Sequence, residues 1–488
     1  MSKIQITNLS FGYEKTTENV FENVFLNIDT DWKLGLIGRN GKGKTTFLNL
    51  LLGKYEYNGS IIKTVDFDYF PFEVKDKSRL TLDIIFEIVP FLEDWQIIKE
   101  LNILKANPEI LYRNFNTLSG GEQVKVLLAS LFLKENNFLL IDEPTNHLDN
   151  ESRNNIQEYL NSKKGFILVS HDRELLDNTV DHILAINNSN IEIQKGNFST
   201  WKENKENQDN FEISQNKKLK SEIIRLETAV KNTSDWSDKV EASKIGEGFL
   251  DKGYIGHQAA KMMQRSKAIE KRKEKAIKEK SSLLKNIDRV DDLTMKPLEY
   301  EKELLLWIKD LSISYKEKIV CKDIRFELKR GDRISLIGKN GSGKSTILKL
   351  INGEQINYTG TFDMGTNIKI SYVSQTTENL KGTLRDLAKE TKIDEGIFKS
   401  MLFKLGVSNS EFDKDMQEFS EGQKKKVLIA KSITESADLY IWDEPLNFID
   451  IQSRVQIENV ILKYNPTMIF VEHDETFVNK IATKKVKL

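Results

Sequence analysis

Two nine-residue stretches have the composition of a phosphate cradle. Gly38-Arg39-Asn40-Gly41-Lys42-Gly43-Lys44-Thr45-Thr46 and Gly338-Lys339-Asn340-Gly341-Ser342-Gly343-Lys344-Ser345-Thr346 both read G-x-x-x-x-G-K-[ST]. The first follows the short apolar run Leu34-Gly35-Leu36-Ile37 and opens a helical pattern, the strand–loop–helix context that the motif requires. Gly38, Gly41 and Gly43, like Gly338, Gly341 and Gly343, let backbone N–H groups curl around phosphate oxygens, and a helix N-terminus adds positive potential. Lys44 and Lys344 would neutralise the outer phosphates of a nucleoside triphosphate, and the hydroxyls of Thr45 and Ser345 could ligate Mg²⁺. Asn40, Thr46, Asn340 and Thr346 lie in the same loops and are grouped with them.

The apolar run Phe138-Leu139-Leu140-Ile141 ends in Asp142-Glu143, and the same pair returns as Asp443-Glu444. Acids at strand ends sit where α/β sheets place ligands. Asp142 and Asp443 would hold the metal, and Glu143 and Glu444 would polarise an attacking water. Ser119-Gly120-Gly121, which begins a helix through Val126, Leu127 and Ala129, is a further anion cradle. One nucleotide does not need two cradles in one domain.

Each motif occurs twice, at an offset of 300 for the phosphate loops, 301 for the acid pairs and 302 for His171-Asp172 against His473-Asp474. A near-constant offset over a domain length is an internal duplication. The expected architecture is α/β: two P-loop domains, 1–200 and 298–488, joined by an unrepeated segment, 201–297. The 73 basic and 74 acidic residues nearly cancel, but Phe211 to Val290 holds 19 basic and 12 acidic side chains. That middle is the part expected to meet a polyanion. The single cysteine, Cys321, excludes a disulfide framework and reads as a core residue. No apolar run approaches the ~18 residues of a membrane span. The N-terminus enters a strand pattern at once (Ile4, Ile6, Leu9), without a signal-peptide layout, so a cytoplasmic protein is expected.

Within the middle, Phe211, Leu219, Ile223, Leu226 and Val230 recur at helical spacing. Gly246, Gly248, Gly253 and Gly256 then interrupt, interleaved with Phe249, Leu250, Tyr254 and Ile255, and helical spacing resumes from Ala259. The pattern predicts two antiparallel helices around a tip at about 232–258, the second roughly 43 Å long at 1.5 Å per residue. Lys261 to Lys280 carries nine basic and three acidic residues. That is either a solvated helix face with i,i+4 pairs or a surface for phosphates; a projecting hairpin with an apolar end favours the second. Lys244, Phe249, Lys252, Tyr254, Lys261, Arg265 and Lys267 are its candidate RNA contacts.

Leu118-Ser119-Gly120-Gly121-Glu122-Gln123 with the phosphate loops resembles the ATP-binding cassette (ABC) ATPases, whose signature is L-S-G-G-[QE]. The resemblance implies that each signature caps the ATP held by the partner cassette. It also implies roles for Asp149 and Asp450 as D-loop residues, His171 and His473 as switch histidines, Tyr13 and Tyr315 as adenine-stacking rings, and Gln375 as a glutamine sensing Mg²⁺. A lone histidine is more often structural, and His182 and His257 stay in that class. Two departures occur. Phe72 stands where the first cassette should have the glutamine, and the second signature reads Phe419-Ser420-Glu421-Gly422-Gln423. In a head-to-tail sandwich both fall in one composite site, that of Lys44, Glu143, Phe72, Ser420 and Glu421, where Ser420 and Gly422 survive. The other, with Lys344, Glu444, Gln375, Ser119 and Gly121, keeps every group. Two unequal sites are expected, the first turning over slowly or mainly holding ATP.

Tandem cassettes, a charged helical linker and no membrane span together resemble the ABC-F family of ribosome-binding ATPases. With 46 residues between Phe72 and Ser119 against 44 between Gln375 and Ser420, the first cassette has no room for the arm insertion of some housekeeping members. Asp251-Lys252-Gly253-Tyr254-Ile255-Gly256-His257 and Ala260-Lys261-Met262-Met263 resemble the subgroup that protects ribosomes from lincosamides, streptogramin A and pleuromutilins. The resemblance implies ATP and Mg²⁺ as cofactors and a ribosome-associated monomer whose cassettes pair within one chain. Its partner would be the 70S ribosome: the 50S exit-tRNA site, 23S rRNA and peptidyl-site tRNA. A housekeeping factor relieving stalled ribosomes, the ATPase subunit of a drug exporter and a DNA-directed cassette ATPase are the competing readings.

Overall fold

In a computed structural model the protein is described at residues 2–13, 19–145, 148–187, 190–242, 292–315, 318–339 and 341–488, together with 264, 271, 272 and 275. These form two compact units, one of Met1–Ser199 with Val290–Leu488, the other of Thr200–Arg289.

In the first repeat, β1 (Lys3–Phe11), β2 (Phe21–Asp29) and β4 (Asn58–Ile62) make an antiparallel sheet in the order β2-β1-β4. Its alternating pattern buries Ile4, Ile6 and Leu9 on one face. A second sheet takes the order β5-β6-β7-β3-β8-β9, from β3 (Lys33–Ile37), β5 (Asp66–Phe70), β6 (Asn137–Asp142), β7 (Phe166–Val169), β8 (His182–Asn187) and β9 (Asn190–Lys195). All but the last pair are parallel. The central strands are apolar throughout, as a sheet covered on both faces demands. Leu34, Leu36, Phe47, Phe138 and Ile167 join both sheets in one core.

The second repeat returns this plan. β10 (Leu304–Tyr315), β11 (Lys318–Lys329) and β13 (Tyr358–Met364) form the antiparallel sheet. β12 (Arg333–Ile337), β14 (Ile370–Val373), β15 (Leu439–Asp443), β16 (Met468–Val471) and β17 (Lys484–Lys487) form the parallel one, ordered β14-β15-β16-β12-β17. Leu293 and Met295 are buried in this repeat's core, so its packing starts upstream of residue 298. Cys321 is buried, as its strand position predicts.

A single helix, Phe198–Ala242, spans 45 residues, about 68 Å at 1.5 Å per residue. It continues through 232, so the tip cannot begin there as the spacing predicted; Asn232 to Ala242 still carry helical backbone. Ile223 is buried and Leu219 and Leu226 are half-buried, whereas Phe211 is exposed and falls off the predicted stripe. Lys202–Glu206 and Lys205–Asp209 pair along it at i,i+4. At its root, Asp177 accepts from Ser199 N and Ser199 Oγ, both at 2.6 Å. Lys244, Phe249, Lys252, Tyr254, Lys261, Arg265, Lys267 and His257 lie outside the described residues.

Candidate active sites

The first phosphate loop leaves β3 and enters the helix Lys44–Leu51 with Gly43 as N-cap at φ 98°. Gly43 is required twice over, since a Cβ there would also stand 2.7 Å from Val20 Cγ1. Gly343, at φ 89°, repeats this against Val320 Cγ1 at 2.8 Å ahead of the helix Lys344–Ile351. Lys44 Nζ donates to Gly38 O (2.7 Å) and Asn40 Oδ1 (3.0 Å); Lys344 Nζ donates to Gly338 O (2.8 Å) and Lys339 O (3.0 Å). Each ammonium is folded back across its own loop. Gly41 and Gly341 face open space at φ 81°.

Past the end of β6, Glu143 takes φ 50° and donates its N–H to Val169 O at 2.9 Å; Glu444, past β15, takes φ 47° and donates to Val471 O at 3.0 Å. His171 Nε2 and His473 Nε2 each lie 3.4 Å from the corresponding glutamate Oε1. The backbones are the same, but the surroundings are not. Asn447 Nδ2 donates to Glu444 Oε2 at 2.8 Å, and Gln375 also bonds this carboxylate. Burial raises Glu444, but the hydrogen bonds from His473, Gln375 and Asn447 outweigh it and hold the group down at about 2. Among the described residues Glu143 Oε1 is buried without a hydrogen-bond partner. Burial, then the charge of Asp142, pushes Glu143 up to about 8 against Arg454 and Lys44. Burial and the Lys44 and Arg454 charges also drive His171 well below its usual range.

Asp142 Oδ2 accepts from Tyr69 Oη at 2.9 Å, and burial raises its pKa. Burial pushes Asp443 up to about 6 although Ser345 bonds it, and its Oδ1 has no partner. A buried carboxylate oxygen left open beside a phosphate-loop hydroxyl has the chemistry of a Mg²⁺ ligand set, so Asp443 with Ser345 fits that ion. Ser119 caps the helix Gly120–Phe132 and Ser420 caps Glu421–Thr434, each accepting from the N–H three residues on at 3.3 Å. Glu421 is tied back, its Oε2 accepting from Thr377 Oγ1 at 2.6 Å and its Oε1 lying 3.2 Å from Lys424 Nζ.

The two cassettes meet through these loops. Asn40 Nδ2 donates to Phe448 O at 2.9 Å, Arg39 Nε donates to Gln452 Oε1 at 2.6 Å, and a Cβ at Gly422 would come 3.2 Å from Asn40 Nδ2. The first phosphate loop thus faces the second signature and D-loop. Asp450, however, is committed to its own cassette through Lys426 (2.6 Å) and Ser453 N (2.9 Å). On the other side Lys339 Nζ lies 2.9 Å from Glu151. Asp149, Lys344 and His473 line a cavity of about 460 Å³ there. Gly120 faces open space, and Gly121 lies against Ser152 of its own cassette. Arg173 adds a buried link across the seam, to Glu458 and to Asp474 (3.5 Å).

An ABC transporter family model matches residues 21–146 and 321–447, together more than half of the chain. The chain belongs to the ABC transporter family. Its tandem cassettes bind and hydrolyse ATP. Over 490 residues it is 28% identical to the ribosome protection protein VmlR of Bacillus subtilis, covering 99% of this chain and 86% of that protein. It is also 28% identical to the erythromycin resistance ATP-binding protein MsrA of Staphylococcus epidermidis, covering 93% and 92%. The fold matches archaeal ABCE1 in its crystal complex with the ribosomal stalk protein aP1, at a TM-score of 0.64 and 19% identity, covering 98% of this chain and 87% of that one. Among the described residues no helix of this ABC protein is long and apolar enough to cross a membrane.

Tyr13 sits beside the first phosphate loop, its Oη 2.8 Å from Thr46 Oγ1. The Tyr315 side chain, Asn340, Asn146 and His147 are outside the described residues. Phe72 is half-buried. His182 is structural, stacked on Trp32 at 3.9 Å and 2.6 Å from Asp181. The motifs pass over Tyr69 and Asn447. Asn447 was detectable, since it repeats Asn146 at the offset of 301; Tyr69 carries no motif signal.

Proposed function

We propose that the protein is an ATP-driven ribosome-protection factor. ATP closes the cassettes, the closed form binds the 50S exit-tRNA site, and the linker acts through 23S rRNA and peptidyl-site tRNA to dislodge antibiotics from the peptidyl-transferase region. The observation that supports this best is the likeness to VmlR along almost the whole chain, linker included. The likeness to an erythromycin resistance protein and the basic surplus of the middle segment point the same way. The protein works as a cytoplasmic monomer in this reading, the cassettes pairing with each other.

Lys44 and Lys344 swing from their loop carbonyls to the phosphates of ATP, and the loop N–H groups hold the oxygens. Mg²⁺, held by Asp443 with Ser345 and by Asp142 with Thr45, neutralises phosphate charge when bound. Glu444, oriented by His473, Gln375 and Asn447, lines up the attacking water and takes its proton. Glu143 has no glutamine partner, Phe72 standing in that place, and it turns over slowly. Ser119 with Gly121, and Ser420 with Gly422, cap the ATP bound across the seam.

The test combines Glu143→Gln and Glu444→Gln, adds ATP, and sediments the variant with 70S ribosomes. Association with the 50S subunit that is lost at high salt is expected. A trapped variant that ignores ribosomes would overturn the proposal. Protection of a drug-sensitive host from lincosamides or pleuromutilins separates this role from that of a housekeeping factor.

A further inference from the structure

Lys425 lies four residues into the helix Glu421–Thr434 and is buried. Its Nζ donates to Ser374 O at 3.0 Å and to Glu444 O at 3.1 Å. The first acceptor precedes Gln375; the second belongs to the residue held at φ 47°. Glu472 is also buried and is the carboxylate whose field Lys425 feels most. Glu472 Oε2 accepts from Leu446 N at 3.1 Å, and its Oε1 accepts from His473 N at 2.8 Å. Two buried opposite charges therefore hold the backbone here: Lys425 that of Glu444 and of the residue leading into Gln375, Glu472 that of His473 and Leu446.

The first cassette lacks it. By the repeat offsets, Val124 stands for Lys425 and Ser170 for Glu472. The Val124 side chain has no donor, and among the described residues Ser170 Oγ accepts the short-range bond from Asp172 N at 3.0 Å. Lys425 and Glu472 thus occur in the cassette whose glutamate is fully hydrogen-bonded, and their replacements in the one whose Glu143 keeps an unsatisfied oxygen. A buried ammonium costs too much to keep unless it is paired and satisfied, and here it is satisfied by the segments that carry the reacting groups.

We propose that Lys425 and Glu472 are positioning residues for ATP hydrolysis at the second site, fixing where Glu444, Gln375 and His473 stand. Neither touches ATP. The inference rests on Glu444 being the base there, and the test keeps the two apart.

Steady-state ATPase, ATP affinity and melting midpoint are measured on the full chain for Lys425→Val, Lys425→Met, Glu472→Ser and Lys425→Val/Glu472→Ser, beside Glu444→Gln. Each single change strands a buried charge or two carbonyls, so kcat should fall about tenfold with KM within about twofold. The double variant installs the first cassette's pair and should recover to within about threefold of the parent. Lys425→Met, which keeps the stem, should match Lys425→Val in kcat if charge is what matters. Unchanged kcat in the single variants would overturn the proposal. So would losses that track ATP affinity and melting and simply add in the double. A silent Glu444→Gln would instead remove the assignment of the base.

Discussion

Glu143 and Glu444 occupy the same backbone in two settings. Each lies past a parallel strand in left-handed conformation, bonds the neighbouring strand's valine carbonyl, and has a histidine nitrogen 3.4 Å away. Around Glu444 stand Gln375 and the buried Lys425 and Glu472, none of which the first repeat has, besides Asn447, whose residue type recurs at Asn146. Glu143 keeps one oxygen without a hydrogen-bond partner among the described residues, and the first repeat has Phe72 in place of the glutamine. Duplication has kept what the fold needs and let the groups that tune the carboxylate diverge. A motif match therefore says that a site exists, and its neighbours say how hard it works.

The sharpest way to break this comparison is to remove each base in turn. Glu444→Gln should lower steady-state ATPase about 100-fold, and Glu143→Gln less than about threefold. Equal losses in a phosphate-release assay would end the claim of inequality. The seam is unequal too. Arg173 reaches Glu458 and Asp474, whereas its repeat counterpart is Glu475. Arg173→Met takes one of two cations from the fully buried Glu458 carboxylate, leaving Lys480, so it should cost about 2 kcal/mol in denaturant unfolding; Glu475→Met should cost under about 0.5.

A subtler probe moves one group across the repeat. Gln375→Phe gives the second site the first site's residue and should lower kcat about tenfold, while Phe72→Gln alone should raise it less than about threefold. The smallest effect concerns acid. Burial would raise Asp474, but Arg454 and Arg173 hold it below the ordinary carboxylate value of 3.8. A depressed acid stabilises the fold above its unfolded pKa, and that contribution is lost as pH falls through the folded value. Melting midpoints should therefore drop below about pH 4 in the parent and fall less steeply in Asp474→Asn.

Most of the cassette architecture was legible because its determinants are local. Phosphate loops, strand-end acids and signature serines each occupy a contiguous stretch, and the repeat confirms the frame. The helix Phe198–Ala242 was legible in kind and not in length. Asn232, Thr233 and Ser234 weaken helix propensity without breaking it, and no Gly or Pro intervenes before Gly246. Tyr69 was invisible because its bond to Asp142 depends on the pairing of β5 with β6 rather than on spacing. Lys425 was written in the sequence as a mismatch with Val124, but burial is what turns a surface-type residue into a brace.

The clasp of Asp177 on Ser199 has a corollary for how the long helix begins. One carboxylate answers both the N–H and the hydroxyl of Ser199, in the first turn after Phe198, and so acts as an N-terminal cap supplied by the short helix Arg173–Thr179. Without it an amide at that end would lose its partner, and the helix would unravel from its root.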